Sequence, residues 1–209
     1  NNLESEYRIK ESKLRFLQET EKEKEGYQRS VKLLLEAIEQ NSSLKHGVRG
    51  VLANLISVEK EYETAIEIAL GAAIQNIVTD TEEEAKKLVK YLKDNKLGRA
   101  SFLPITSVKG TKLGKYKDTG ISGIVGVASD LIDFDKKYEG IILNALGRTV
   151  VVENIDSAVE LAKKNSYSFK IVTVSGDVIN PSGAISGGSV QTKTVSILGR
   201  GKEIKSLEK

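Results

Sequence analysis

Apolar residues recur at helical spacing through residues 1–43, and no proline interrupts them. One heptad frame places Leu3, Lys10, Leu17, Lys24, Val31 and Ile38 at one seam position. Tyr7, Leu14, Glu21, Gln28, Leu35 and Ser42 fall at the other. The pattern predicts one long coiled-coil helix with a polar centre around Gly26. A second stripe begins at Ile197, Ile204 and Leu207. The chain thus enters its body by one helix and leaves by another, and Val31 and Ile38 are expected to pair with that return segment in an intramolecular antiparallel coiled coil.

Between the helices the pattern repeats itself. Residues 50–71 align without a gap on residues 126–147, and roughly half the positions are identical, the mark of a duplicated unit. Gly50/Gly126, Leu55/Leu131, Ile56/Ile132, Tyr62/Tyr138, Ile66/Ile142 and Gly71/Gly147 are among the matches. Each half reads as strand, helix, strand, helix, strand. Residues 62–70 and 138–146 carry helical spacing and end on glycine, as a C-cap would. Residues 74–78 and 149–152 are β-branched runs, followed by the N-cap candidates Asp80 and Thr81, and Asn154 and Asp156. Residues 99–103 and 170–174 are the next strands. The expected fold class is α/β (α+β), with two pseudo-symmetric subdomains at 44–104 and 121–198. A basic Gly/Thr/Lys linker joins them at 105–120, and arms flank them at 1–43 and 199–209.

Composition narrows the chemistry. With no Cys, Met or Trp and 5% aromatics, the core must be Leu, Ile, Val and Ala, and neither a disulfide nor a thiolate metal site is possible. No window of ~18 uninterrupted apolar residues predicts a membrane span. Net charge is only +3, so a basic surface requires uneven distribution. The linker supplies one with Lys109, Lys112, Lys115 and Lys117, and the helix beginning near Glu82 supplies another with Lys86, Lys87, Lys90 and Lys93. Clustered lysines of this kind suit non-specific contact with nucleic-acid phosphates.

Catalytic patterns are weak. Gly110 to Lys115 is one residue short of a phosphate-binding loop, ends in Tyr116 and lies in the linker. His46 is the single histidine, and it sits at the junction of helix and body, away from any nucleophile set. Asp133/Asp135 and residues 82–84 lie at helix starts, where the helix dipole favours carboxylates. The most specific text is glycine-rich: Gly176-Asp177, then Ser182-Gly183-Ala184 and Gly187-Gly188. Such a run forms tight turns or admits a second backbone at close range, as in strand-to-strand association between chains.

Taken together, His46-Gly47-Val48-Arg49-Gly50, residues 65–71, residues 98–104 and the run from Gly176 to Gly188 resemble the hinge family of structural-maintenance-of-chromosomes (SMC) proteins. The resemblance implies a doughnut-shaped homodimer with Gly183, Gly187 and Gly188 at the interface, beside Ser182 and Ala184. Ser182 stands where some relatives carry glycine. It further implies arms whose distant ends carry ATPase heads, so the chain itself is expected to be no enzyme and to need no cofactor or metal. A cytoplasmic, nucleoid-associated setting and non-specific DNA contact follow from the same likeness. The lack of cysteine closes the route of a zinc hook joining arm tips. Two other readings compete: a pure dimer connector without DNA contact, and a small-ligand α/β enzyme, since a fold alone never excludes chemistry.

Overall fold

A computed structural model describes residues 2–189 and 196–209. The chain enters through α1 (Asn2–Lys22), α2 (Arg29–Gln40) and the single turn α3 (Ser42–Lys45). The first half follows as β1 (Val48–Val51), β2 (Ile56–Val58), α4 (Glu63–Leu70), β3 (Ile77–Thr79), α5 (Glu82–Asp94) and β4 (Phe102–Pro104). The second repeats the order as β5 (Ile124–Val127), β6 (Ile132–Phe134), α6 (Glu139–Leu146), β7 (Thr149–Val152), α7 (Ile155–Lys164) and β8 (Lys170–Thr173). It then adds β9 (Val178–Ile179) and β10 (Ile185–Ser186), and α8 (Ile197–Leu207) leaves the body.

The duplication is visible in every layer. In the first half β1 lies antiparallel to β3, and β3 parallel to β4. In the second, β5, β7 and β8 repeat those relations. Both antiparallel ladders slip at the same point, between Val48 and Gly50 and between Ile124 and Gly126. Gly50 and Gly126 have φ of 111° and 149°, which explains why glycine recurs there. The parallel pairs need crossovers, supplied by α5 and α7. Thr81 caps α5 in a reciprocal box with Glu84, and Asn154 caps α7 through a 2.9 Å bond from the Ser157 amide. Asp80, the other candidate cap, is instead paired with Arg49 at 2.7 and 2.9 Å. That pairing holds its carboxyl below the usual range.

The halves join through the extra strand each carries. β2 and β6 pair antiparallel, with Ser57 opposite Asp133 at the centre. Because these strands are repeat equivalents, the pairing is self-symmetric. Ile66 on α4 and Ile142 on α6 are fully buried in one apolar cluster that also takes Val31, Leu34 and Ile38 from α2. A smaller cluster lies under α7, around Val150, Leu161 and Ile171.

Three expectations are corrected. Residues 1–43 are not one helix, because α1 ends at Lys22 and α2 starts at Arg29. The Glu25 amide bonds back to Thr20 and the Lys24 amide to Glu21, with Lys24 at φ 51°, which is a Schellman stop. Val31 and Ile38 therefore turn into the body core, and the return helix α8 packs on α1, where Leu17 is buried. The strand expected at 74–78 begins later, since Gly71–Gln75 is a 3-10 turn. Gly147 caps α6, as the pattern expects, but at φ −66° rather than in the left-handed conformation. A Cβ there would stand 2.4 Å from the Thr111 carbonyl, so close packing is what requires glycine.

The segment after β4 is a docked strap rather than a loose linker. Leu113 donates its amide to the Gly147 carbonyl at 2.8 Å, and Asn165 brackets the backbone of Lys117 at 2.8 Å on both sides. Tyr116 packs on Phe169 with ring centroids 5.4 Å apart, a structural fate for the false phosphate loop. A Cβ on Gly110 would fall 2.0 Å from the Asn144 amide nitrogen, so Gly110 serves contact with α6.

Because both halves share one core, Ile66→Ala and Ile142→Ala should each cost about 2–5 kcal/mol. Each should shift a single thermal transition followed by circular dichroism. Two separable transitions would contradict the shared core.

Candidate functional site

The glycine-rich run builds a sheet edge. Asp177 organises it: its carboxylate accepts from the Thr173 and Ser175 hydroxyls at 3.1 and 3.2 Å and from the Gly188 amide at 3.2 Å. Its own amide donates to the Thr173 hydroxyl at 2.9 Å. The Asn180–Gly183 turn closes through a 2.8 Å bond from the Gly183 amide, with Gly183 at φ 87°. The Ser182 hydroxyl accepts weakly from the Ala184 amide at 3.4 Å. The Asn180 amide donates to the Ala184 carbonyl, so Ala184 and Ser186 face β9 while Ile185 turns its N–H and C=O outward. Ile185 is 57% exposed, an unusual position for an isoleucine.

The structure thus brings Ser182, Gly183, Ala184, Gly187 and Gly188 together around β10, all exposed. Their glycines have reasons internal to the chain. A Cβ on Gly187 would lie 2.3 Å from the Asp177 carboxylate, while Gly188 has φ 129° with open space beside it. The motif contained Asp177 and Ile185, but sequence reasoning gave neither a role. The available signal was a lone large apolar residue among small ones, and an acid just ahead of them.

A complementary edge lies in the first half. There β4 is the last strand of its sheet, whereas its repeat equivalent β8 is covered by β9. The Ser101 carbonyl and the Ile105 amide bond to β3, which leaves Phe102 with its N–H and C=O directed outward. Pro104 has no N–H, and its carbonyl already accepts from Val108 at 2.9 Å, so the free edge stops there.

The lysine candidates form two separate groups, all exposed. Lys86, Lys87, Lys90 and Lys93 line an open groove of about 650 Å³ on α5, together with His46, Glu83 and Glu84. Several are engaged: Lys86 with Glu83 at 3.9 Å, Lys90 with Asp94, and Lys87 with the Ser43 carbonyl. On the strap, Lys112 pairs with Asp130 at 2.7 Å, and Lys109 reaches the Ile105 carbonyl at 3.3 Å. Asp130 lies 18 residues from Lys112 in sequence and is brought to the strap only by the fold. Among the described residues, Lys93, Lys115 and Lys117 make no ion pair. No group of three or more His, Asp or Glu poised for a metal occurs among them either. Nor is any helix among them long and apolar enough to cross a membrane.

Comparison with known proteins gives a consistent picture. The sequence model described as the SMC proteins flexible hinge domain matches residues 45–162. A chromosome partition protein Smc from Clostridium kluyveri is 46% identical over 201 residues, covering 95% of this chain and 17% of that protein. The chain therefore spans about a sixth of that relative's length. A solved asymmetric dimer of the Geobacillus stearothermophilus SMC hinge domain superposes with a TM-score of 0.85 at 36% identity, over 98% of this chain and 82% of that one. The Pyrococcus furiosus Smc hinge domain with an extended coiled coil gives 0.62 at 31% identity, over 99% and 76%.

The Asp177–Gly187 contact has a measurable signature. Gly187→Ala should lower the melting temperature of the chain itself, and the loss should shrink when Asp177→Ala is combined with it. The coupling expected of touching residues is about 0.5–3 kcal/mol. Strictly additive effects in denaturant titrations would show that the carboxylate does not dictate this glycine.

Proposed function

The chain belongs to the SMC flexible hinge-domain family, and on that premise we propose that it is the homodimerising hinge of a longer chromosome-partition ATPase. Its two sheet edges are the joining surfaces. β10 of one copy adds to β4 of another, and a two-fold axis repeats the contact to close a ring. The observation that carries this reading is the unequal pair of sheets. β4 lacks the covering strands that β8 has, and β10 offers an outward-facing backbone at an exposed isoleucine. Unpaired edges invite such addition, and closure of the ring removes them.

The arms are the second part of the proposal. Leu3 and Tyr7 are 81% and 69% exposed on the seam of α1, past the point where α8 ends. A continuation of the returning helix in a longer protein would cover them as an antiparallel coiled coil. The ATP-hydrolysing heads belong to other parts of such a protein, and the hinge holds two arms together in a ring or V at the nucleoid.

Non-specific DNA contact through Lys109, Lys112, Lys115, Lys117, Lys86, Lys87, Lys90 and Lys93 completes the proposal. Exposure of all eight favours it. The Lys112–Asp130 pair favours the alternative of a pure dimer connector, because a lysine already neutralised gains less from a phosphate. Non-specific duplex binding should weaken with salt by a log–log slope of about −0.9 per phosphate contact. Changing the four strap lysines to Glu should lower affinity for all sequences alike in a fluorescence-anisotropy titration at low salt. Unchanged affinity would leave the connector reading.

For the interface, Ile185→Lys is the decisive change, because the side chain is solvent-exposed and a charge on an edge strand opposes strand addition. Light scattering at micromolar concentration should report a dimer for the unmodified chain. It should report a folded monomer for the variant, with a melting temperature set only by the loss of the partner. A variant that remains dimeric would remove β10 from the interface.

A further inference from the structure

The break between α1 and α2 is held from three sides. Arg200 on α8 is 1% exposed. Its guanidinium donates to the Thr20 carbonyl and to the Glu21 carboxylate, each at 3.1 Å, and also to the Glu25 carbonyl. It lies 6.0 Å from the Tyr27 ring, and burial, then Glu21, pushes the Tyr27 phenol up to about 12. From the body, the Gln75 side-chain amide accepts from the Gln28 N–H at 2.7 Å and donates to the Gly26 carbonyl at 3.2 Å. Ser30, one turn later, donates its hydroxyl to the Arg99 carbonyl at 2.6 Å.

Arg200 and Gln75 both bond to backbone groups of the bend, at Glu25, Gly26 and Gln28. Arg200 serves the last turn of α1 from the returning helix, and Gln75 serves the non-helical residues from the first half of the body. Gly26 has φ 87°, and a Cβ there would meet Ile197 only at ordinary contact distance, 3.5 Å, so the left-handed backbone of the bend is what calls for glycine. The guanidinium thus joins three points of the bend, at Thr20, Glu21 and Glu25. A continuous helix would carry α1 straight on from α2. The bend redirects it onto α8, and a bend free to flex would let it sweep a cone.

We infer that residues 23–28 form a clasp, closed by Arg200 and Gln75, that fixes the direction in which the entering arm leaves the body and keeps it docked on α8. The inference concerns the arm alone and does not depend on the proposed strand addition between copies. Arg200 is a positioning residue. Lysine at 200 could not reach both carbonyls and Glu21 at once, because it lacks the planar fork.

The absence of cysteine makes the test direct. Spin labels at Ser5→Cys on α1 and Glu160→Cys on α7 report arm against body by pulsed dipolar spectroscopy, with excess unlabelled chain keeping any second copy silent. The unmodified clasp should give one narrow distance distribution. Arg200→Met and Gln75→Ala should each broaden it by about twofold or more, and amide exchange at residues 23–28 should quicken by about tenfold. Gln75 is only half-buried, so its variant decides the matter should Arg200→Met fail to fold. Widths and exchange rates unchanged in Gln75→Ala, or a distribution already broad in the unmodified chain, would overturn the clasp.

Discussion

The pairing of β2 with β6 is the constraint on which the rest of the molecule depends. It joins two copies of one supersecondary unit across a local two-fold at Ser57 and Asp133, and it presses α4 and α6 into a common core. Each repeat alone would expose the apolar face that the other covers. With the halves joined there, both main sheets contribute residues to the shared core, and the strand orders end at β4 in one and β10 in the other. The second half carries the additional β9–β10 hairpin and the first does not. That single inequality between otherwise matching halves gives the molecule one edge that lacks a strand and one edge that offers one.

The proposed ring follows from those edges by symmetry. A sheet that ended in a long, flat, open strand would associate without limit. Here Pro104 ends one edge after Phe102, and the β9–β10 hairpin is only two residues deep. Short edges of this kind suit a contact made twice between two copies and little else. The strap between the halves adds rigidity, since Gly110 packs against α6 and Asn165 holds the backbone at Lys117.

Much of this was legible in the sequence, and the exceptions have physical causes. The duplication survived because glycines at the bulges and apolar residues on α4 and α6 answer to the same geometry in both halves. The caps at Thr81 and Asn154 were readable because capping is local. The arm break was not, because the stop falls at Lys24, a residue with no preference for positive φ, and the heptad seam continues through it. What ends α1 is tertiary: the apolar face of α2 is drawn into the body, and Arg200, 180 residues from Thr20, donates to its last turn. The glycine run lies around the edge strand β10, and the reason for Gly187 lies with Asp177, a contact no spacing rule exposes. The pairing of Lys112 was not legible, since its partner Asp130 reaches the strap only through the fold.

The central claim is that the two unequal edges meet each other, rather than like meeting like. Cysteine pairing tests it without ambiguity in a chain that has no cysteine of its own. One preparation carries Ser101→Cys beside the β4 edge, and a differently tagged one carries Ile185→Cys on β10. After mixing, exchange of partners and mild oxidation, the account predicts a disulfide-linked species containing both tags, with neither preparation cross-linking by itself. Efficient cross-linking within either single preparation, and none between them, would contradict it.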